Sequence, residues 1–177
     1  MPGDGGDRVS STLTLVFTTS ASWISRAIRF FDRSPASHVS VLFESAELGG
    51  TWVLEADLSG VRLRPEARWA RGKRVVARFR ARTDLSAGLR AAASLVGRRY
   101  DVTALFGFAW VILVGRWLGR RVRNPLASPR AYVCSEFVVH LRDGAAIPEF
   151  QGLDPERTSP RVLWRVLKDG TTFEEIP

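Results

Sequence analysis

The sequence predicts an α+β domain in which a small antiparallel sheet is packed by helices. Two kinds of segment predict it: short runs whose apolar residues alternate, as in strands, and runs whose apolar residues recur at helical spacing. With 177 residues, 45% of them hydrophobic, the chain suffices for one domain with a sizeable core. We expect residues 1–11, which are acidic, glycine-rich and without an apolar run, to be a disordered lead rather than a secretory signal, and residues 12–177 to be the single domain.

The first elements are a strand, a helix and a second strand. Residues 13–18 are predicted to form the first strand, and Ser20-Ala21-Ser22 offers an N-cap for a helix whose apolar positions continue to Phe31. A loop containing Pro35 leads into residues 38–43, which alternate. One face of that strand carries Val39, Val41 and Phe43, and the other carries His38, Ser40 and Leu42.

The remaining elements follow the same patterns. Short strands are predicted at residues 52–58, 61–63 and 75–79, and an amphipathic or largely buried helix at residues 85–96. Ser159-Pro160 is an N-cap followed by proline at the first helical position, so a last helix should begin there and end at Gly170.

Cys134 is the only cysteine, so it cannot form an internal disulfide. Phe137, Val138 and Leu141 make an apolar stripe after it, and Gly144 is a stop signal, so Cys134 should open a short helix. Unpaired backbone N–H groups and the helix dipole favour a thiolate at that place. A thiolate nucleophile needs a histidine base.

The chain holds two histidines, His38 and His140. His140 lies six residues after Cys134, which on a helix is a rotation of about 240° and an advance of roughly 9 Å, so the two do not share a face. We therefore interpret His140 as a surface or partly packed residue. His38 lies on a predicted strand, a rigid mount for a base.

A carboxylate on the next strand can orient His38. Glu55 and Asp57 face the same way, opposite to Trp52 and Leu54. If the hairpin centres between Ala46 and Glu47, His38 faces Glu55; if it centres one residue later, His38 faces Asp57. Spacing alone leaves the two carboxylates equal as the third member of a triad.

Four pieces in this order resemble the circularly permuted NlpC/P60 proteins. These are papain-like thiol hydrolases, in a wider group with the lecithin:retinol acyltransferase-like enzymes. The matching pieces are Ser37-His38-Val39-Ser40-Val41, Val53-Leu54-Glu55-Ala56, Gly97-Arg98-Arg99-Tyr100-Asp101 and Cys134-Ser135-Glu136-Phe137-Val138. Each piece alone is weak, but all four in order are fairly specific.

The resemblance implies a permuted papain-like fold with Cys134 as nucleophile, His38 as base and Glu55 as the third polar residue, which decides against Asp57. It also implies that Tyr100 lines the substrate site. Amide bonds of peptides, including cell-wall peptides, would be the substrate. The alternatives are a lipid ester or amide hydrolase or acyltransferase at a membrane surface, and a non-enzymatic basic module that binds membrane or nucleic acid.

Charge and cysteine content bear on partners and compartment. The net charge is +8, mostly arginine, with clusters at residues 68–74, 78–82 and 116–123. Such clusters attract phosphate-rich partners, but no nucleic-acid motif is present, so no specific nucleic acid is expected. One unpaired cysteine favours a reducing, cytoplasmic location. Two histidines without a His/Cys cluster argue against zinc, and we expect no cofactor.

Residues 102–115 contain no charge and precede an arginine-rich stretch. The segment is too short for a confident transmembrane span. It is either a buried core helix or a segment that rests on an anionic membrane, with Trp110 and Trp117 at the interface and the arginines on lipid headgroups. The second interpretation would bring a lipid-like substrate to Cys134.

Overall fold

The computed structural model describes residues 12–100, 131–132 and 134–177. Their architecture is α+β, as the sequence predicts. Six strands are β1 Thr14–Thr19, β2 His38–Ser45, β3 Gly50–Asp57, β4 Gly60–Pro65, β5 Arg74–Ala81 and β8 Phe173–Ile176. They form one antiparallel sheet in the order β4-β3-β2-β1-β5-β8. Two short strands, β6 Arg99–Tyr100 and β7 Ala131–Tyr132, pair in parallel beside it.

The described helices are α1 Trp23–Asp32, α2 Glu66–Trp69, α3 Ser86–Ala93, α4 Cys134–Val139 and α5 Pro160–Asp169. Both predicted caps are confirmed: Ser22 accepts a hydrogen bond from the backbone N–H of Ser25, and Ser159 accepts one from Val162. None of the described helices is long and apolar enough to span a membrane.

Alternate strand residues supply two apolar clusters, as period-two side-chain placement requires. The larger cluster joins the sheet to α3, α4 and α5, and its fully buried members include Leu15, Phe17, Val39, Phe79, Phe137 and Leu163. The smaller cluster contains Val16, Val53 and Trp69. Trp69 ends α2, a helix that the sequence patterns did not predict.

Two glycines let α3 lie against the turn that follows the cysteine-bearing helix. A Cβ on Gly88 would lie 2.4 Å from the carbonyl oxygen of Leu141, and one on Gly144 would lie 2.2 Å from that of Ala87. Any larger residue would push the two backbones apart. The close approach fixes the far end of the segment that begins at Cys134.

The predicted strands are confirmed, with ends shifted by no more than two residues, but β6, β7 and β8 were not predicted. The helix after Cys134 is shorter than expected, because α4 ends at Val139 and a 3-10 turn, His140–Asp143, carries the chain to Gly144. The predicted lead 1–11 and the apolar segment 102–115 lie outside the described residues, so both remain predictions.

Candidate active site

Cys134 opens α4, as predicted, and is 2% exposed. Its sulfur accepts hydrogen bonds from the backbone N–H groups of Val39, on β2, and of Ser135. The Ser135 hydroxyl donates to the carbonyl oxygen of Thr158 at 2.5 Å, which ties the start of the helix to the segment before α5. The thiol therefore lies against the first residues of β2.

His38 is the first residue of β2 and touches both other members of the predicted triad. Its Nε2 lies 2.9 Å from Oε2 of Glu55, and its side chain also hydrogen-bonds to Cys134. Since Nε2 is used by Glu55, Nδ1 is the ring nitrogen left for the sulfur. The structure thus brings Cys134, His38 and Glu55 together in the order that a cysteine triad requires.

Glu55 is fully buried, and one of its oxygens carries most of its contacts. Oε2 accepts from His38, from Trp69 Nε1 at 3.0 Å, from Lys73 Nζ at 2.5 Å and, more weakly, from the Ser40 hydroxyl at 3.4 Å. Oε1 has no hydrogen-bond partner among the described residues, and Arg64 Nε lies 3.7 Å from it. Such a set of donors stabilises a buried carboxylate in its ionised form.

The three groups shift one another's protonation. Burial alone would lower the pKa of His38, but the Cys134 thiolate and the Glu55 carboxylate outweigh it and raise that pKa to about 9. Burial raises the pKa of the Cys134 thiol, yet His38 and the Val39 and Ser135 N–H groups bring it below its ordinary value. Burial likewise opposes ionisation of Glu55, and His38 with Lys73 overcomes it, so that its pKa falls to about 2. A thiolate–imidazolium pair is the expected state near neutral pH.

The register of the β2–β3 hairpin does not decide which carboxylate bonds His38, contrary to the expectation from the sequence. Val41 pairs with Leu54 and Phe43 with Trp52, so the hairpin centres one residue later than the register that would place Glu55 opposite His38. Continued to its end, this ladder sets Asp57 opposite His38. His38 nevertheless bonds Glu55, diagonally across the ladder, and the assumption that the partner must lie directly opposite was wrong.

Asp57 is held by arginines instead. Its carboxylate accepts from Arg62 Nη2 at 2.9 and 3.0 Å and from Arg64 Nη2 at 2.6 Å, both on neighbouring β4. A quarter of its side chain is exposed. The pairing explains why the acid opposite His38 is not its partner.

Sequence reasoning missed Lys73 and Trp69. The sequence places Lys73 only in the basic cluster 68–74. In the structure its Nζ donates a hydrogen bond to Oε2 of Glu55, the oxygen that also bonds His38. The same Nζ lies 4.8 Å from the centre of the Trp69 ring. One signal was available: in a chain with 26 lysines and arginines, Lys73 is one of just two lysines. The contact of Lys73 with Glu55 is made beside Trp69 of α2, a helix that was not predicted.

Tyr100 and His140 are the two remaining residues that the sequence analysis considered for the site. Tyr100 is in β6, paired with Tyr132, and its side chain lies outside the described part of the structure, so its role remains a prediction. His140 begins the 3-10 turn after α4, and its Nδ1 lies 2.6 Å from Asp143 Oδ2. Cys134 interacts with His38, not with His140, and the role of His38 as the base stays a prediction.

A cleft of about 220 Å³ opens beside His38. Ile24, Ile28 and Leu58 give it apolar walls, and hydroxyl groups of β1 and α1, such as those of Thr19 and Ser25, lie among them. Lys73 also reaches this cleft, which therefore combines apolar surface with hydrogen-bonding groups next to the base. Within the described ranges, no three His, Cys, Asp or Glu side chains are grouped so as to hold a metal ion.

No model of a known protein family matches the chain, and no curated protein matches it. Chemically, the arrangement supplies a nucleophile, a group that can accept and return its proton, and a carboxylate that orients that group.

Proposed function

We propose that this protein is a cysteine hydrolase that cleaves an amide bond through an acyl-enzyme on Cys134. The observation that carries the proposal is the double contact of His38, which bonds Cys134 and Glu55 at once. The lowered pKa of Cys134 supports the proposal, because the thiolate is the reactive nucleophile, whereas a cysteine that serves only packing stays a thiol.

The reaction proceeds in two steps, acylation of Cys134 and hydrolysis of the acyl-enzyme. The Cys134 thiolate attacks the carbonyl carbon, and the backbone N–H of Cys134, at the start of α4, stabilises the oxyanion. The C–N bond then breaks, and the His38 proton passes to the leaving nitrogen. Water next attacks the thioester, gives a proton to His38 and releases the carboxylic acid, which regenerates the thiolate. Throughout, Glu55 holds the imidazole in place and stabilises its charge.

The resemblance to the permuted NlpC/P60 proteins supports the same proposal, and a permuted papain-like fold is part of it. His38 and Glu55 lie on adjacent strands, and Cys134 follows at a helix start much later in the chain. Peptides, including cell-wall peptides, are the proposed substrates. A reducing, cytoplasmic location, which a single free cysteine favours, completes the proposal.

Lipid esters or amides are a second candidate substrate class. The observation that favours them is the cleft beside His38, whose apolar walls of Ile24, Ile28 and Leu58 suit an acyl chain. The chemistry on Cys134 would be the same, with an alcohol as the leaving group where the substrate is an ester.

Intact-mass measurement of the enzyme with each type of acyl donor tests both candidates. A peptide donor, a cell-wall peptide and a phospholipid are supplied separately, and the added acyl mass is sought on Cys134. Cys134→Ala is the control that must remain unmodified. An adduct from peptides alone selects the amidase, an adduct from phospholipid alone selects the lipid enzyme, and no adduct or turnover with any donor would contradict both.

A further inference from the structure

Two aromatic residues of α1 face solvent. The buried residues of this helix are Ser25 and Asp32, whereas Trp23 is 68% exposed and Phe30 is 77% exposed. At about 100° per residue, Trp23 and Phe30 fall on one side of the helix and the two buried polar residues on the other. The remaining apolar residues of the helix are half-buried, so Trp23 and Phe30 form an exposed apolar surface of a kind that an amphipathic helix normally buries.

Cations surround the exposed aromatic residues. Arg26 and Arg33 are exposed on the flank of α1. Arg161, at the start of α5, lies beside the end of α1 with Nη1 3.4 Å from the carbonyl oxygen of Asp32. The one acid of α1, Asp32, is buried and accepts the backbone N–H of Arg161. The exposed side of the helix is thus aromatic and positively charged.

We propose that α1 docks this protein on an anionic lipid bilayer. Trp23 and Phe30 would enter the interface, and Arg26 and Arg33 would contact the headgroups, as in helices that lie in the membrane plane. A second copy of the same face is a poorer partner, because the arginines would oppose one another. Docking does not depend on the reaction at Cys134.

The position of the cleft gives this docking a consequence. Ile24 and Ile28 belong to α1 and line the cleft beside His38. Ser25, on the side of α1 opposite Trp23 and Phe30, lines the same cleft. The docked helix would therefore lie between the lipid surface and the cleft, so docking would hold the protein at the bilayer without placing the cleft in it.

Sedimentation with vesicles tests the proposal on the full chain. Vesicles of phosphatidylglycerol mixed with phosphatidylcholine should bind the protein, and pure phosphatidylcholine should bind it far less. Binding should weaken as salt is added, since the arginine contribution is electrostatic. Trp23→Ser and Phe30→Ser should each weaken binding about tenfold, because each removes an interfacial anchor.

Two matched variants separate docking from other effects. Leu48→Ser removes an exposed apolar residue, 47% exposed, from the turn after β2, whose end lies about 23 Å along the strand from His38, and should bind like the parent. Cys134→Ala should also bind like the parent, so failure of the reaction and failure of docking are distinguishable. Melting curves of the two α1 variants should match the parent, because the replaced side chains are exposed.

Three results would overturn the inference. The parent could fail to bind phosphatidylglycerol vesicles at low salt. The α1 variants could bind as tightly as the parent, which would place the contact elsewhere on the chain. Finally, the parent could form a concentration-dependent dimer that Trp23→Ser abolishes, with no vesicle binding, which would make the face a contact between copies.

Discussion

His38 bonds Glu55 across a diagonal of the β2–β3 ladder, with 2.9 Å between Nε2 and Oε2. One further pair of this ladder sets Ser40 opposite Glu55, and their side chains are 3.4 Å apart. Diagonal neighbours on a sheet face are within reach of long side chains. Glutamate is one methylene longer than aspartate, so Glu55 can reach His38 along this diagonal. Lys73 holds the same Glu55 oxygen in place, and His38 therefore bonds Glu55 rather than Asp57, which lies directly opposite it.

Glu55→Gln should lower the rate of acyl-donor turnover by on the order of 100-fold or more, because the amide cannot stabilise the charge on His38. Asp57→Asn should change that rate by less than about threefold, since Asp57 is occupied by Arg62 and Arg64. Steady-state rates of the two variants, with circular dichroism to check folding, give the comparison. A larger loss in the Asp57 variant would mean that the diagonal contact is not the working one.

The sequence predicts much of this sheet and the positions of Cys134 and His38 from local pattern, whereas only the family resemblance distinguishes Glu55 from Asp57. Alternation locates β2 and β3, the caps at Ser22 and Ser159 locate two helices, and a sole cysteine before an apolar stripe locates α4. The hairpin register depends on the turn between β2 and β3, which allowed two solutions.

Lys73 and Trp69 could not be predicted in the same way. Their contact with Glu55 depends on α2, which has four residues and is too short for a periodic pattern, and on the side of the sheet that it covers. Strand β8 is also four residues long and follows the end of a helix, so only its tertiary pairing with β5 defines it as a strand. Short elements are fixed by what they pack against rather than by their own composition.

Cys134 should react with iodoacetamide well below the ordinary cysteine pKa of about 8.5. The cause is the His38 imidazolium, so His38→Ala should abolish labelling at about pH 6. His140→Ala should label like the parent, because Nδ1 of His140 bonds Asp143 instead. Mass spectrometry of the labelled protein over a pH series measures both. Equal loss of labelling in the two variants would contradict the assignment of His38.

The alkaline side of the same profile follows from His38. Its folded pKa of about 9 is raised above its ordinary 6.5, so the imidazolium persists at neutral pH and is lost as pH rises through about 9. Above that value the thiolate no longer has a cationic partner. The advantage of Cys134 over a free thiol such as cysteine itself should therefore be largest below about pH 7 and should disappear above about pH 9. An advantage that grows with pH would contradict the ion pair.

Acid should remove a stabilising contribution that belongs to Glu55. Its folded pKa of about 2 lies below its ordinary 4.5, so the contribution is complete above pH 4.5 and is lost as pH falls through about 2. The shift corresponds to roughly 3 kcal/mol of unfolding free energy. Urea unfolding at several pH values should show this loss in the parent and not in Glu55→Gln. The exposed Glu44, changed to Gln, is the control and should keep the loss.

Lys73 should stabilise the fold through Glu55, whereas the other lysine should not. Lys73→Met leaves the buried carboxylate with one cation fewer and should lower the unfolding free energy by about 2 kcal/mol at neutral pH. The pKa of Glu55 should then rise toward its ordinary value, so the acid-dependent loss becomes smaller than in the parent. Lys168→Met is the matched control: its partner Glu175 is 44% exposed, and the change should cost less than about 0.5 kcal/mol. Urea unfolding of both variants at neutral and acid pH decides the matter. An unchanged acid dependence in Lys73→Met, together with full stability, would mean that Lys73 does not act on Glu55.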